Sequence, residues 1–103
     1  FEVIYTEVGM FIDELAERVV GLDGIPLHTL AQMLEATSLE EDPEMASPEA
    51  MVSRTIQDIE VLSKKLKAGI EMAEEIDDRP TVNLLDGIND GLEAHLWMLK
   101  AWQ

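Results

Sequence analysis

Apolar residues recur at steps of three and four along three long stretches of the chain, a spacing that places them on one face of an α-helix. The first stretch runs from about Phe1 to Leu22 and is followed by Gly24 and Pro26, two residue types that often end helices. Its apolar stripe consists of Ile4, Val8, Phe11, Leu15, Val19 and Leu22. The pattern predicts one long amphipathic helix at the start of the chain.

A second long helix is predicted from Ser47 to about Ile76, and a third follows the short turn at residues 77–81. Ser47 is a favourable N-cap, and proline suits the first turn of a helix, as at Pro48 and Pro80. The second stripe consists of Met51, Ile59, Leu62, Leu66, Ile70 and Ala73, and the third of Leu85, Ile88, Leu92, His95, Leu99 and Trp102. The spacing of the third stripe is typical of a helix that lines the seam of a bundle.

The crossover between the first two long helices, residues 25–46, is predicted to hold one short helix. Four apolar residues would form the buried side of that helix: Leu27, Leu30, Met33 and Leu34. The acidic segment EEDPEMASP, residues 40–48, contains two prolines and is predicted to be a loop. The whole connection, about 24 residues, is long enough to run the length of a bundle.

These elements predict an all-α protein with the topology of a ferritin-like four-helix bundle, in which one long crossover carries a short helix. Three long helices leave an open groove in such a bundle, which a further helix upstream of Phe1 would fill. The first predicted helix also begins at Phe1 with no cap before it. We therefore expect residues 1–103 to form a single ferritin-like domain that is incomplete at its N-terminus, with the first helix of the bundle missing.

The chain is strongly acidic, with a net charge of −15 from 22 acidic and 7 basic residues. Such a charge repels bare DNA and anionic membranes and attracts cations, although it can also serve solubility alone. No apolar run approaches the roughly 20 residues that span a bilayer, so no membrane contact is expected. The sequence has no cysteine, which excludes disulfides, zinc ribbons and thiol catalysis and fits a cytoplasmic location.

Two carboxylates lie four residues apart in the first predicted helix, at Asp13 and Glu17, so they share one face. A third acid, Glu2, lies eleven residues before Asp13, and eleven residues at about 100° each end about 20° past three full turns. All three acids therefore face the same side. Acids at this spacing are also common on solvated helix faces, so the spacing alone leaves both interpretations open.

One copy of the helix cannot bring all three acids to one ion, because Glu2 lies about 16 Å along the axis from Asp13. Two copies packed antiparallel about a two-fold axis, the commonest oligomer symmetry, would place Glu2 of one copy beside Asp13 and Glu17 of the other. Facing carboxylates need a cation because like charges repel strongly when they leave water. Iron(II), manganese or magnesium would suit such oxygen ligands.

Three segments resemble the Dps family, the DNA-binding proteins from starved cells, also called miniferritins. Residues 12–39, IDELAERVVGLDGIPLHTLAQMLEATSL, are similar to the D-x-x-x-E step, glycine, Pro-Leu and crossover of that family. Residues 74–88, EEIDDRPTVNLLDGI, resemble its acidic turn, and residues 94–103, AHLWMLKAWQ, its H-x-W-M ending of the last helix. The likeness covers nearly the whole chain in the same order.

The resemblance implies a ferritin-like bundle that assembles from two-fold dimers into a hollow homododecamer. It implies a ferroxidase that oxidises iron(II) with hydrogen peroxide between two-fold-related subunits, stores the ferric iron and protects against oxidative stress. Asp13 and Glu17 match ligands of one subunit, and Glu2 matches an acid of its mate, where the family usually has aspartate. The two histidine ligands of the family would both lie upstream of Phe1. His28, expected at the surface, and His95, expected in the core or an interface, do not replace them.

Three further acids, Asp77, Asp78 and Asp86, cluster in sequence around the start of the third long helix. They can be explained as caps near the positive end of the helix dipole. The resemblance implies instead that this turn lines negatively charged three-fold pores, through which iron(II) would enter the shell.

Two other functions stay open: a ferritin-like shell or scaffold without oxidase activity, and a DNA binder that compacts the nucleoid. Family members that bind DNA usually use a lysine-rich tail. The only basic cluster here is SKKLK, residues 63–67, which is too small to follow a phosphate backbone. DNA binding by this stretch of chain is therefore not expected.

Overall fold

The computed structural model describes residues 1–41 and 47–103. They form α1 (Glu2–Gly21), α2 (Leu30–Ala36), α3 (Pro48–Glu75) and α4 (Arg79–Trp102). No strand is present in these two ranges, and none of their helices is long and apolar enough to cross a membrane. Most of the predicted loop at residues 40–48 lies outside the described residues. The chain divides into two compact units, residues 1–38 and 39–103.

The first unit contains α1, which ends where the sequence predicts. The amide of Gly24 donates to the carbonyl of Val19 at 2.8 Å, and the amide of Asp23 donates to the carbonyl of Val20 at 2.9 Å. This is a Schellman motif, in which a residue with left-handed backbone closes the helix, here Asp23 at φ 64°. A Cβ atom on Gly24 would lie 3.1 Å from the Val19 carbonyl oxygen, so a side chain there would crowd the backbone at the end of α1 and glycine avoids that contact.

The predicted short helix of the crossover is present as α2, and a capping box begins it. The Thr29 hydroxyl accepts from the amide of Gln32 at 3.1 Å, while the Gln32 side chain accepts from the amide of Thr29 at 3.2 Å. The prediction of a buried apolar side was wrong for this chain. Its four members are 41–79% exposed: Leu27, Leu30, Met33 and Leu34. Helical periodicity identifies a helix but not what covers its apolar side, and nothing in the described chain buries these residues.

The second unit is built from α3 and α4. The Ser47 hydroxyl accepts from the amide of Ala50 at 3.2 Å, which confirms the predicted N-cap. The two helices are joined by a turn of three residues and run antiparallel, because the Gln103 side chain at the end of α4 donates to Ser53 near the start of α3 at 2.9 Å.

A core forms between α3 and α4. Its buried apolar residues are Val52, Ile56, Ile59, Ala73, Val82, Ile88 and Leu92. The helices approach closely at Gly69, where a Cβ atom would lie 3.2 Å from a methyl carbon of Leu85. Five members of the predicted stripes are only half-buried, namely Leu62, Leu66, Ile70, Leu85 and Leu99. Two members lie outside the core, since Met51 is 45% exposed and Trp102 is 58% exposed. Both lie in the terminal turn of their helix, where fewer neighbours are available to cover a side chain.

Candidate metal centre

The three acids of the predicted metal site all lie on α1. Glu2, Asp13 and Glu17 are exposed, and the helix between them is continuous. The opposite side of α1 carries the half-buried members of the apolar stripe, namely Ile4, Val8, Phe11 and Leu15. The helix therefore presents carboxylates on one side and apolar side chains on the other, as predicted, although none of its residues is fully buried within the chain.

Asp13 and Glu17 lie one helical turn apart, which brings their Cβ atoms within about 6 Å of each other. Glu2 is about 16 Å away along the axis and forms part of an open groove of about 540 Å³ that it shares with residues such as Thr6 and Met10. In residues 1–41 and 47–103, no three histidine, cysteine or acidic side chains come close enough to hold a metal ion. One copy of the chain thus brings two of the three predicted ligands together, and the meeting with Glu2 stays a prediction about two copies.

The acids of the α3–α4 turn have separate structural roles. Asp78 is the N-cap of α4, and its carboxylate accepts from the amide of Thr81 at 3.2 Å and from its hydroxyl at 2.5 Å. Asp77 has a left-handed backbone, φ 55°, and ends α3. Asp86 lies two turns into α4 and is exposed. The capping interpretation is thus confirmed for Asp78, and the three carboxylates do not converge on one ion within the chain. Their predicted role in a pore stays untested.

The two histidines have the environments that the sequence predicts. His28 is exposed, and a ring nitrogen lies 3.4 Å from the carbonyl oxygen of Pro26. His95 is only 9% exposed and lies in α4 among the residues of the α3–α4 core.

Sequence reasoning missed a polar connection between α3 and α4. The hydroxyl of Ser63, a buried residue, donates to the side-chain oxygen of Asn89 at 2.7 Å, and the Asn89 amide donates to Glu93 at 3.3 Å. Lys67 lies 3.6 Å from the same Glu93 oxygen. The available signal was the position of Ser63, four residues after Ile59 on the apolar side of α3, where a polar residue needs a partner.

Comparison with known proteins decides the family. A model of the ferritin-like domain family matches residues 1–103. The DNA protection during starvation protein of Brevibacillus brevis is 44% identical over 102 residues, which cover 99% of this chain and 68% of that protein. A crystal structure of a Dps protein from Bacillus brevis, also 44% identical, superposes with a TM-score of 0.95 over 99% of this chain and 68% of that one. The chain belongs to the Dps family of ferritin-like proteins. The predicted all-α ferritin-like fold is thereby confirmed.

Two further relatives extend the comparison. General stress protein 20U of Bacillus subtilis is 38% identical, with 99% of this chain and 70% of that protein covered. The Dps protein of Vibrio cholerae is 30% identical and superposes with a TM-score of 0.95, covering 99% of this chain and 64% of that one. That protein is described as a member of a broad superfamily of ferritin-like diiron-carboxylate proteins. In that superfamily, carboxylates bind a pair of iron ions, as its description says. The exposed acids of α1 are side chains of the same chemical type.

Proposed function

We propose that this Dps-family protein oxidises iron(II), with hydrogen peroxide as electron acceptor, and retains the ferric product inside a hollow shell of twelve copies. The proposal rests on family membership together with one observation, the placement of Glu2, Asp13 and Glu17 along one exposed side of an uninterrupted helix. Iron is both substrate and stored product in this account. Its removal, together with that of peroxide, would protect the cell under oxidative stress.

The three side chains fit iron(II) by their chemistry. All are carboxylates, and oxygen ligands of this kind suit iron(II) and manganese better than the soft metals that prefer thiolates. Asp13 and Glu17 have the spacing at which two acids on one helix repel each other mildly, and a divalent cation relieves that repulsion. The resemblance also implies two histidine ligands, which His28 and His95 do not supply.

Antiparallel pairing of α1 with the same helix of a second copy would supply the missing acid. Glu2 of one copy would then lie beside Asp13 and Glu17 of the other, and the two-fold symmetry would create two equivalent sites. The role of these residues is to hold iron(II) where peroxide can reach it. Two iron(II) ions give two electrons to one peroxide, which takes up two protons and becomes two water molecules. This two-electron reduction of peroxide releases no hydroxyl radical.

Protection of DNA would follow from this chemistry without direct contact. The relative from Brevibacillus brevis is named for DNA protection during starvation, and the one from Bacillus subtilis for general stress. The present chain carries a net charge of −15, which opposes binding to a polyanion. We therefore assign protection to the removal of iron and peroxide rather than to coverage of DNA.

The test compares two double variants of the full-length protein. Asp13→Ala with Glu17→Ala removes the proposed ligands, and Glu71→Ala with Glu75→Ala removes an exposed pair of acids at the same spacing on α3. The absorbance of ferric iron is followed by stopped flow after iron(II) and peroxide are mixed. We expect the first variant to oxidise iron at least about a hundredfold more slowly, more than the loss usual for groups that only support a ligand, and the second to match the parent. Equal rates in all three proteins would refute the site.

A further inference from the structure

Gly9 lies in the middle of α1, where a glycine has no evident purpose within its own chain. The residue is exposed, and a Cβ atom built on it would meet no atom within 4 Å. Glycine in a helix interior lowers helix stability relative to alanine because it gains more freedom on unfolding. The described chain thus has room for a side chain at this position and would gain helix stability from one.

The position of Gly9 relates it to the proposed metal ligands. It lies seven residues after Glu2 and four residues before Asp13. At about 100° per residue, these steps place Gly9 within about 20° of Glu2 and about 40° of Asp13 around the helix axis. Gly9 is therefore on the acidic side of α1, between the two groups of ligands.

The antiparallel pairing described above determines which residue lies on the two-fold axis. Glu2 of one copy must lie opposite the midpoint between Asp13 and Glu17 of the other, which is position 15. The axis then crosses α1 midway between positions 2 and 15, between residues 8 and 9. Of these two, Val8 belongs to the half-buried apolar stripe on the far side of the helix, whereas Gly9 is on the acidic side. Gly9 would thus lie against Gly9 of the second copy.

We propose that Gly9 is a positioning residue for iron oxidation, in that its missing side chain lets two copies of α1 approach closely at their two-fold axis. This inference depends on the proposed function for the pairing of the helices. The distance between packed helices depends on the side chains at the contact, and small residues allow the closest approach. Because every copy contributes the same residue at the axis, each atom added to Gly9 is added twice. The separation of the helices in turn sets how far Glu2 of one copy lies from Asp13 and Glu17 of the other.

Alanine and leucine substitutions at Gly9 test this role, and Gly87 provides a matched control. Gly87 lies in the interior of α4, is exposed, and likewise has no atom within 4 Å of a Cβ built on it. The four variants Gly9→Ala, Gly9→Leu, Gly87→Ala and Gly87→Leu are made in the full-length protein. Three quantities are measured for each: the rate of iron(II) oxidation by peroxide over a range of iron(II) concentrations, self-association by analytical ultracentrifugation, and Tm.

We expect Gly9→Ala to slow iron oxidation by roughly a hundredfold, the effect of a ligand misplacement of about 1 Å, and to raise the iron(II) concentration for half-maximal rate. Its Tm should nevertheless not fall, because alanine strengthens the helix. We expect Gly9→Leu to weaken self-association by at least about tenfold, since the larger side chain separates the helices further. Both Gly87 variants should oxidise iron and assemble like the parent. A role in folding alone would instead lower Tm and rate together.

The outcomes separate this inference from the proposed function. If the parent oxidises iron and both Gly9 variants behave like their Gly87 counterparts, the inference is overturned and the function stands. If the parent does not oxidise iron but Gly9→Leu still dissociates the assembly while Gly87→Leu does not, the function fails and the contact at Gly9 stands.

Discussion

The turn between α3 and α4 offers the sharpest test of how this chain ends and begins its helices. Asp77 has a left-handed backbone, and its amide donates to the carbonyl of Glu74 at 3.1 Å. The amide of Asp78 donates to the carbonyl of Ala73 at 2.9 Å, which completes a Schellman motif at the end of α3. Glycine is the residue that this motif favours, because it has no Cβ atom to crowd the backbone.

Two substitutions at Asp77 should change stability in opposite directions. A left-handed backbone costs a residue with a Cβ atom about 1–2 kcal/mol, less for aspartate than for alanine. Glycine removes that cost but loses about 0.4–1 kcal/mol through its freedom in the unfolded chain. We therefore expect Asp77→Gly to stabilise the protein by about 0.5 kcal/mol and Asp77→Ala to destabilise it by about 1 kcal/mol. For a domain of this size, each kcal/mol corresponds to roughly 4–8 °C in Tm.

Comparison of Asp77→Gly with Asp77→Ala distinguishes the effect of the backbone conformation from the effect of charge, because both substitutions remove the same carboxylate. Effects of charge on the end of α3, on the start of α4 and on the iron-entry pore that the resemblance implies should be equal in the two variants. Thermal unfolding at matched protein concentration measures the stability difference, and iron uptake at low ionic strength measures the loss of charge. Equal Tm values for the glycine and alanine variants would refute the assigned role of the left-handed backbone.

Two further substitutions test the α3–α4 core. Ser63→Ala leaves the side-chain oxygen of Asn89 buried without the hydrogen bond from Ser63. Denaturant unfolding should therefore show a free energy of unfolding lower by about 1–3 kcal/mol. A free energy of unfolding equal to that of the parent within error would contradict the polar connection. Ile59→Ala truncates a side chain that is 3% exposed and should cost about 2–5 kcal/mol in the same assay. The exposed Val61→Ala, at 37% exposure two residues later, is its control and should cost clearly less.

Much of the helical framework could be predicted from the sequence because its signals are local. The N-cap at Ser47, the proline at the start of α4 and the glycine after α1 act on backbone groups within a few residues. The core was harder to predict. Val52 and Ile56 are buried whereas Met51 is not, because a rotation of one residue around α3 decides which side chain meets α4. Periodicity does not resolve that rotation at a helix end.

The candidate site could be predicted in part for the same reason. The shared face of Glu2, Asp13 and Glu17 follows from helical geometry alone, and α1 is the continuous helix which that geometry requires. The spacing of residues in one helix does not say whether or how a second copy packs against it. The apolar residues of α2 give another example, because their spacing predicts a buried side whereas they are exposed within the chain. Contacts between copies depend on surfaces whose partners lie outside the chain.

Location of the metal tests the central claim most directly. Crystals of the full-length protein, loaded with iron(II) under anaerobic conditions, would be measured at the iron absorption edge to give an anomalous difference map. We expect an iron peak between two antiparallel copies of α1, bound by Asp13 and Glu17 of one copy and by Glu2 of the other. An iron peak elsewhere, with these carboxylates directed into solvent and no second α1 beside them, would contradict the account.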